Sequence, residues 1–186
     1  LKCIKQVEPH GMIAVPLAHA IKKVFPSTFK SIQHNVTVGS RWFWGGTTLN
    51  KLHDSGKADF KMAVMEKNNP AAILFTSGST GPAKGVLFSH DIFNHQVRIL
   101  QEQFNITPDE TDLPTFPLFG LFSIGLGITS IIPEMDATKP ARVNPKKIID
   151  PIQNYKISSS FGSPALWDTV SQYCLSQNIQ LPSLKR

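Results

Sequence analysis

The stretch AAILFTSGSTGPAKGVLFSH, residues 71–90, constrains this chain more than any other part of it. Two short apolar runs, AAILF and GVLFS, are bounded by turn residues and carry the β-branched and aromatic side chains of strands. Each reads as a buried strand. Between them lies TSGSTGPAKG, a loop too rich in glycine and hydroxyls to continue either one. Glycine admits backbone conformations closed to other residues, so successive N–H groups can converge on one point. Converging N–H groups make a concavity for anions. The hydroxyls of Thr76, Ser77, Ser79 and Thr80 add donors, and Lys84 adds a mobile positive charge suited to phosphate. The expected site is a polyphosphate clamp made by Thr76, Ser77, Gly78, Ser79, Thr80, Gly81, Lys84 and Gly85, with Lys84 as its catalytic cation. It is not a Walker loop, which needs glycine just before the lysine and Ser or Thr just after; here Ala83 and Gly85 flank Lys84. A ligand-free polar hairpin is the alternative for the residues taken alone.

The remaining chain alternates strand-like and helix-like segments, which makes the class α/β. CIKQVEP reads as a strand, PLAHAIKKVF as a helix started by Pro16 and stopped by Pro26, and SIQHNVTVG as a strand ending at Gly39. A turn at Gly45 and Gly46 leads to a short helix after Thr47 or Thr48. HDIFNHQVRILQEQF carries Ile92, Phe93, Val97, Leu100 and Phe104 at helical spacing. Asn144-Pro145 and Ser163-Pro164 each place a capping residue before a first-turn proline, opening two more helices, with KISSSF as a strand between them.

From 113 to 133 the chain has no charge, a length that could span a bilayer. Pro114, Pro117, Pro133, Gly120, Gly125 and Gly127 make it a poor continuous helix, so no transmembrane segment is expected there. A buried strand, a turn and a short helix lining an apolar cavity fit better. The net charge is +6, but the basic residues are scattered, which argues against nucleic acid as a partner. Cys3 and Cys174 are too few and too distant for a disulfide framework, so a reducing cytoplasm is the default. The six histidines show no metal spacing, and no metal site is expected among these residues. Asp112, Glu134 and Asp136 read as surface charges, and Trp42 and Trp44 as packing residues.

The string FTSGSTGPAKGVLFSH resembles the signature of the AMP-binding, adenylate-forming superfamily of acyl-CoA synthetases, luciferases and adenylation domains. The resemblance implies that the loop holds the β- and γ-phosphates of ATP, with Mg²⁺, while a carboxylic acid substrate attacks the α-phosphate. It implies that residues 1–186 form part of the N-terminal AMP-binding domain, an incomplete piece with mixed sheets and flanking helices. The adenine and ribose sites and the C-terminal domain with its lysine are expected outside this chain. FPLFGLFSIGLG, IIPEMDATKPARVNP, VPLAHAIKKVF and GSRWFWGGTTL resemble olefin β-lactone synthetases of long-chain hydrocarbon biosynthesis. That likeness implies a 2-alkyl-3-hydroxy acid as substrate, and a reductase and a decarboxylase as pathway partners. It implies an acyl pocket of Phe116, Phe119, Gly120, Phe122, Gly162, Ser163 and Pro164, with Gly120 leaving room where many acyl-CoA synthetases carry histidine or an aromatic residue. A long-chain fatty acid–CoA ligase is the alternative within the superfamily, and a non-catalytic nucleotide-binding module the alternative outside it.

Overall fold

The computed structural model describes residues 1–56, 61–76 and 83–186. Their backbone divides into two compact units, Leu1–His90 and Asp91–Arg186. Both mix helices with small sheets, as the α/β class requires.

The first unit opens with helix α1 (Lys2–Val7), where residue types alone suggest a strand. Ile4 and Val7 lie three apart, a helical spacing, and Glu8 stops the turn in the left-handed region at φ 48°, its amide bonded to the Ile4 carbonyl at 3.0 Å. Strand β1 (Gly11–Ala14) follows, then α2 (Pro16–Val24), β2 (His34–Thr37), β3 (Thr47–Thr48) and α3 (Leu49–Ser55). β1, β2 and β3 lie side by side and parallel, with Ile13 opposite Val36 and Val36 opposite Thr47. Helix α2 supplies the crossover between β1 and β2 that parallel pairing needs. A side chain at Gly46, at φ +102°, would place its Cβ 2.2 Å from the Asn35 carbonyl oxygen, so only glycine lets the chain enter β3 there. Trp44 is buried: its indole N–H donates to Thr37 Oγ1 at 2.9 Å and its ring stacks on buried His19 at 5.3 Å. The packing role read for Trp44 is the one observed; Trp42 is exposed.

Strands β4 (Pro70–Phe75) and β5 (Gly85–Ser89) pair antiparallel, with Phe75 opposite Gly85 and Ile73 opposite Leu87. The hairpin is as expected, but its burial is not: Ile73 is 42% and Leu87 55% exposed. A continuous apolar run signals a strand covered on both faces. In β4 only Ala72 and Leu74, on one side of the pleat, are half-buried.

Helix α4 (His90–Phe104) begins at the last residue of the first unit and belongs otherwise to the second. There β6 (Thr111–Asp112), a 3₁₀ turn (Pro117–Phe119), α5 (Gly120–Gly125), β7 (Thr129–Ser130), a second 3₁₀ turn (Pro140–Arg142), α6 (Lys146–Asn154) and α7 (Pro164–Gln177) follow in order. Within the uncharged stretch the turn and short helix form as expected, but the strand, β7, follows the helix rather than preceding the turn, and among the described residues no helix is long and apolar enough to cross a membrane. β6 and β7 run parallel. KISSSF forms an extended segment with an isolated bridge from Ser159 to Asp112 rather than a full strand. Ser163 caps α7 as its position suggests, accepting from the Leu166 amide at 3.3 Å; at α6 the cap position falls one residue later than expected, on Pro145, and Asn144 before it accepts from the Lys146 amide at 3.1 Å. The caps aim α6 and α7 so that Ile148, Ile152, Leu166 and Val170 meet Leu113 and Ile157 in a fully buried core.

Candidate functional site

A cavity of about 510 Å³ opens in the second unit. This is within the size range of small-molecule sites. Helix α4 contributes Ile99, Leu100 and Phe104 to its wall, and the turn and α5 contribute Phe119, Phe122 and Leu126. Phe161, from the extended segment before α7, closes against Phe119 with ring centroids 4.3 Å apart. Phe122 meets Phe119 at 6.0 Å and Phe93 at 5.9 Å. The wall is therefore a set of tilted and stacked aromatic rings, held by a helix whose apolar spacing is visible in sequence.

One side of the lining is polar. Ser123 Oγ donates to Asp112 Oδ2 at 2.7 Å, and Ser159 Oγ donates to Oδ1 at 2.8 Å. Asp112 is not the surface charge that its sequence neighbourhood suggests; it is half-buried and faces the cavity. Sequence spacing could not show this, because Ser159 reaches it from 47 residues away. Beside it, Ser158 Oγ donates to Glu110 Oε2 at 2.8 Å and Ser160 Oγ to the Leu113 carbonyl at 2.6 Å. Glu110 is buried and takes the Arg186 guanidinium at 2.6 Å through Oε1. Burial alone would raise the Glu110 carboxyl; hydrogen bonds from Arg186, Ser158 and the Thr107 amide outweigh it and hold the group below its ordinary value.

Of the residues assigned to the acyl pocket, Phe119 and Phe122 line this cavity. Phe116 is exposed, stacked in tilted fashion on Phe119 at 5.7 Å. Gly120 is buried at the start of α5; a Cβ there would meet Ile132 at 3.4 Å and Ser130 at 3.6 Å, away from the cavity lining. Gly162 lies where a Cβ would fall 2.7 Å from both Thr115 Oγ1 and Trp167 Nε1, so its bareness seats the turn into α7. Ser163 and Pro164 are the cap and first residue of that helix. Phe161 and the α4 side chains join the pocket without having been assigned to it from sequence. The only signal for Phe161 is its place directly before the Gly-Ser-Pro turn.

In the loop expected to hold phosphate, Thr76, Lys84 and Gly85 are described. The Thr76 amide donates to the Lys84 carbonyl at 3.1 Å, just beyond the Phe75–Gly85 pair, and closes the base of the loop. The Lys84 side chain is exposed there. Ser77, Gly78, Ser79, Thr80 and Gly81 lie outside the described residues.

The chain is 40% identical over 173 residues to the olefin β-lactone synthetase of Xanthomonas campestris, covering 92% of this chain and 31% of that protein. It is 42% identical over 173 residues to the olefin β-lactone synthetase of Stenotrophomonas maltophilia, with the same 92% and 31% covered. It thus spans about a third of the length of these curated relatives. The crystal structure of ATP-bound MatB from Rhodopseudomonas palustris shares the fold, with a TM-score of 0.66 at 21% identity over 92% of this chain and 33% of that one. The family profile described as AMP-binding enzyme matches residues 2–186, and the chain belongs to that family of adenylate-forming enzymes.

Proposed function

We propose that the protein to which these residues belong activates a long-chain 2-alkyl-3-hydroxy acid as its acyl-adenylate and closes it to a β-lactone in olefin biosynthesis. The observation that carries this reading is the identity of 40% and 42%, over 92% of the chain, to two olefin β-lactone synthetases. In the reaction proposed, the substrate carboxylate attacks the α-phosphorus of ATP and pyrophosphate leaves. The substrate's own hydroxyl then attacks the acyl carbon, loses its proton and expels AMP, closing the four-membered ring. A carboxylate is a poor electrophile, and adenylation supplies its leaving group.

Lys84, with Thr76, Ser77, Gly78, Ser79, Thr80, Gly81 and Gly85, is the proposed holder of the β- and γ-phosphates, stabilising charge that grows as pyrophosphate departs. Mg²⁺ bound with ATP would neutralise further phosphate charge. Among the described residues no group of three His, Cys, Asp or Glu is placed to hold a metal, so no protein ligand is assigned to it. The aromatic cavity of Phe119, Phe122 and Phe161 takes the acyl chain, and Phe116, Gly120, Gly162, Ser163 and Pro164 border its carboxyl end. Residues 1–186 then belong to the N-terminal AMP-binding domain. The proposed setting is the cytoplasm, with a reductase and a decarboxylase acting before and after.

The test is to incubate the full-length protein with ATP, Mg²⁺ and a 2-alkyl-3-hydroxy acid and look for the lactone by mass spectrometry. Lactone formed without CoA is the expected outcome. A CoA thioester and no lactone would instead make the protein a fatty acid–CoA ligase.

A further inference from the structure

Of the walls around the cavity, helix α5 has the least to hold it. Its six residues are too few for a helix to persist by its own backbone bonds. Leu121 and Ile124 are exposed. Only Gly120 and Ser123 are buried, and glycine brings no side chain. Bare Gly125 lies close to Val97 of α4, where a Cβ would fall 2.9 Å from Val97 Cγ2, but an apolar approach of this kind fixes no direction. Ser123 is therefore the one buried side-chain anchor of α5, and its hydroxyl donates to Asp112 Oδ2 at 2.7 Å. The facing wall is firmer. The Leu113 amide donates to the Ser159 carbonyl at 2.9 Å and the Thr115 amide to the Phe161 carbonyl at 3.0 Å, so Phe161 stands on backbone bonded to the segment that carries Asp112. Ser159 Oγ donates to the other oxygen of Asp112 at 2.8 Å and holds the carboxylate in its rotamer. Phe119, directly before α5, meets Phe161 with centroids 4.3 Å apart, and rings that close admit nothing between them.

We infer that Asp112 is a positioning residue: through Ser123 it holds α5 so that Phe119 stays closed on Phe161, and it thereby keeps chains branched along the tail out of the cavity. The inference rests on the reading of the cavity as the acyl pocket. A carboxylate suits the task, because hydrogen bonds to a charged acceptor are about twice as strong as neutral ones. Its two oxygens also engage two segments at once, one hydroxyl from each. A methyl branch needs room beside the chain. One methylene's worth of room in an apolar pocket is enough to discriminate about tenfold or more. With the anchor cut, α5 shifts, the two rings part and that room appears.

The full-length enzyme tests this in a competition, with ATP, Mg²⁺ and hydroxylamine to trap each acyl-adenylate as its hydroxamate. Two 2-alkyl-3-hydroxy acids of equal length share one vessel, one with a straight tail and one with a methyl branch at mid-tail. Mass spectrometry reads the ratio of the two hydroxamates. That ratio follows relative kcat/KM and does not move when a variant only leaves less folded enzyme. Ser123→Ala and Asp112→Ala should each raise the branched share about tenfold. The double variant should go no further than either, because both cut one link. Phe119→Ala, which removes the ring itself, should raise the branched share whatever holds α5. If Phe119→Ala moves the ratio and Ser123→Ala does not, the inference fails while the pocket reading stands. Shifts that multiply in the double variant also overturn it, since the two residues then act separately. If Phe119→Ala leaves the ratio unchanged, or the unsubstituted enzyme forms no hydroxamate from either acid, the reading of the site itself falls, and the inference with it.

Discussion

Lys84 carries the heaviest load placed on any single residue. Its carbonyl fastens the base of the loop to Thr76 while its side chain stays exposed. The backbone bond does not depend on the side chain, so Lys84→Ala tests charge apart from loop closure. In the full-length enzyme that substitution should slow adenylation on the order of 10²-fold, measured as pyrophosphate release under single turnover. An unchanged rate would remove Lys84 from the phosphate clamp. Glu110 answers a different question at the same scale. Its folded-state pKa lies below its ordinary value. It therefore contributes stability above the unfolded carboxyl range, about pH 4.3, and that stability is lost as pH falls through the folded value. The gap in urea stability between the protein and its Glu110→Gln variant should narrow between about pH 5 and about pH 3. A gap that stays constant would mean that the pair with Arg186 does not form. No local signal announces that pair, since its members stand 76 residues apart and each is an ordinary charge in its own neighbourhood.

Elements are legible where a residue type has one dominant use. Proline marks a helix start, and α2, α6 and α7 each begin at or just after one. Ser163→Ala should destabilise the protein by about 1 kcal/mol in urea unfolding, and Ser163→Gly by a few tenths. Equal losses for both would mean that the serine hydroxyl does not cap α7. α1 escapes a sequence reading because Cys3, Ile4 and Val7 suit a strand by type as well as a helix by spacing, and six residues are too few to separate the two. β1 escapes it because GMIA is short, opens with glycine and has meaning only beside β2. The hairpin of β4 and β5 is plain in the sequence, but its exposure is not, since a sequence shows which residues could be covered and not what covers them. The same limit applies to the candidate site. Phe119 and Phe122 of the aromatic wall are expected from the family resemblance, whereas Phe161, the α4 side chains and the polar patch come together from segments joined only by folding.

At the scale of the whole molecule, large apolar side chains reach solvent in both units, Val64 at 98% and Ile124 at 71% exposed among them. Where such side chains adjoin one another they form apolar surface that a hydrophobic dye can cover. The 186-residue chain expressed by itself should therefore bind the dye ANS with strong fluorescence, and weak binding would mean that these faces are covered within the chain. The second unit is fastened differently. Ser158, Ser159 and Ser160 each send a hydroxyl to a separate acceptor on the neighbouring 110–113 segment. Backbone bonds from Ser158 to Thr111 and from Leu113 to Ser159, both 2.9 Å, run between the same two parallel segments. Pulled along their length, these segments cannot come away rung by rung: every link is loaded together. The pocket floor is thus built like a joint in shear, and under mechanical force it should be among the last regions of the unit to yield.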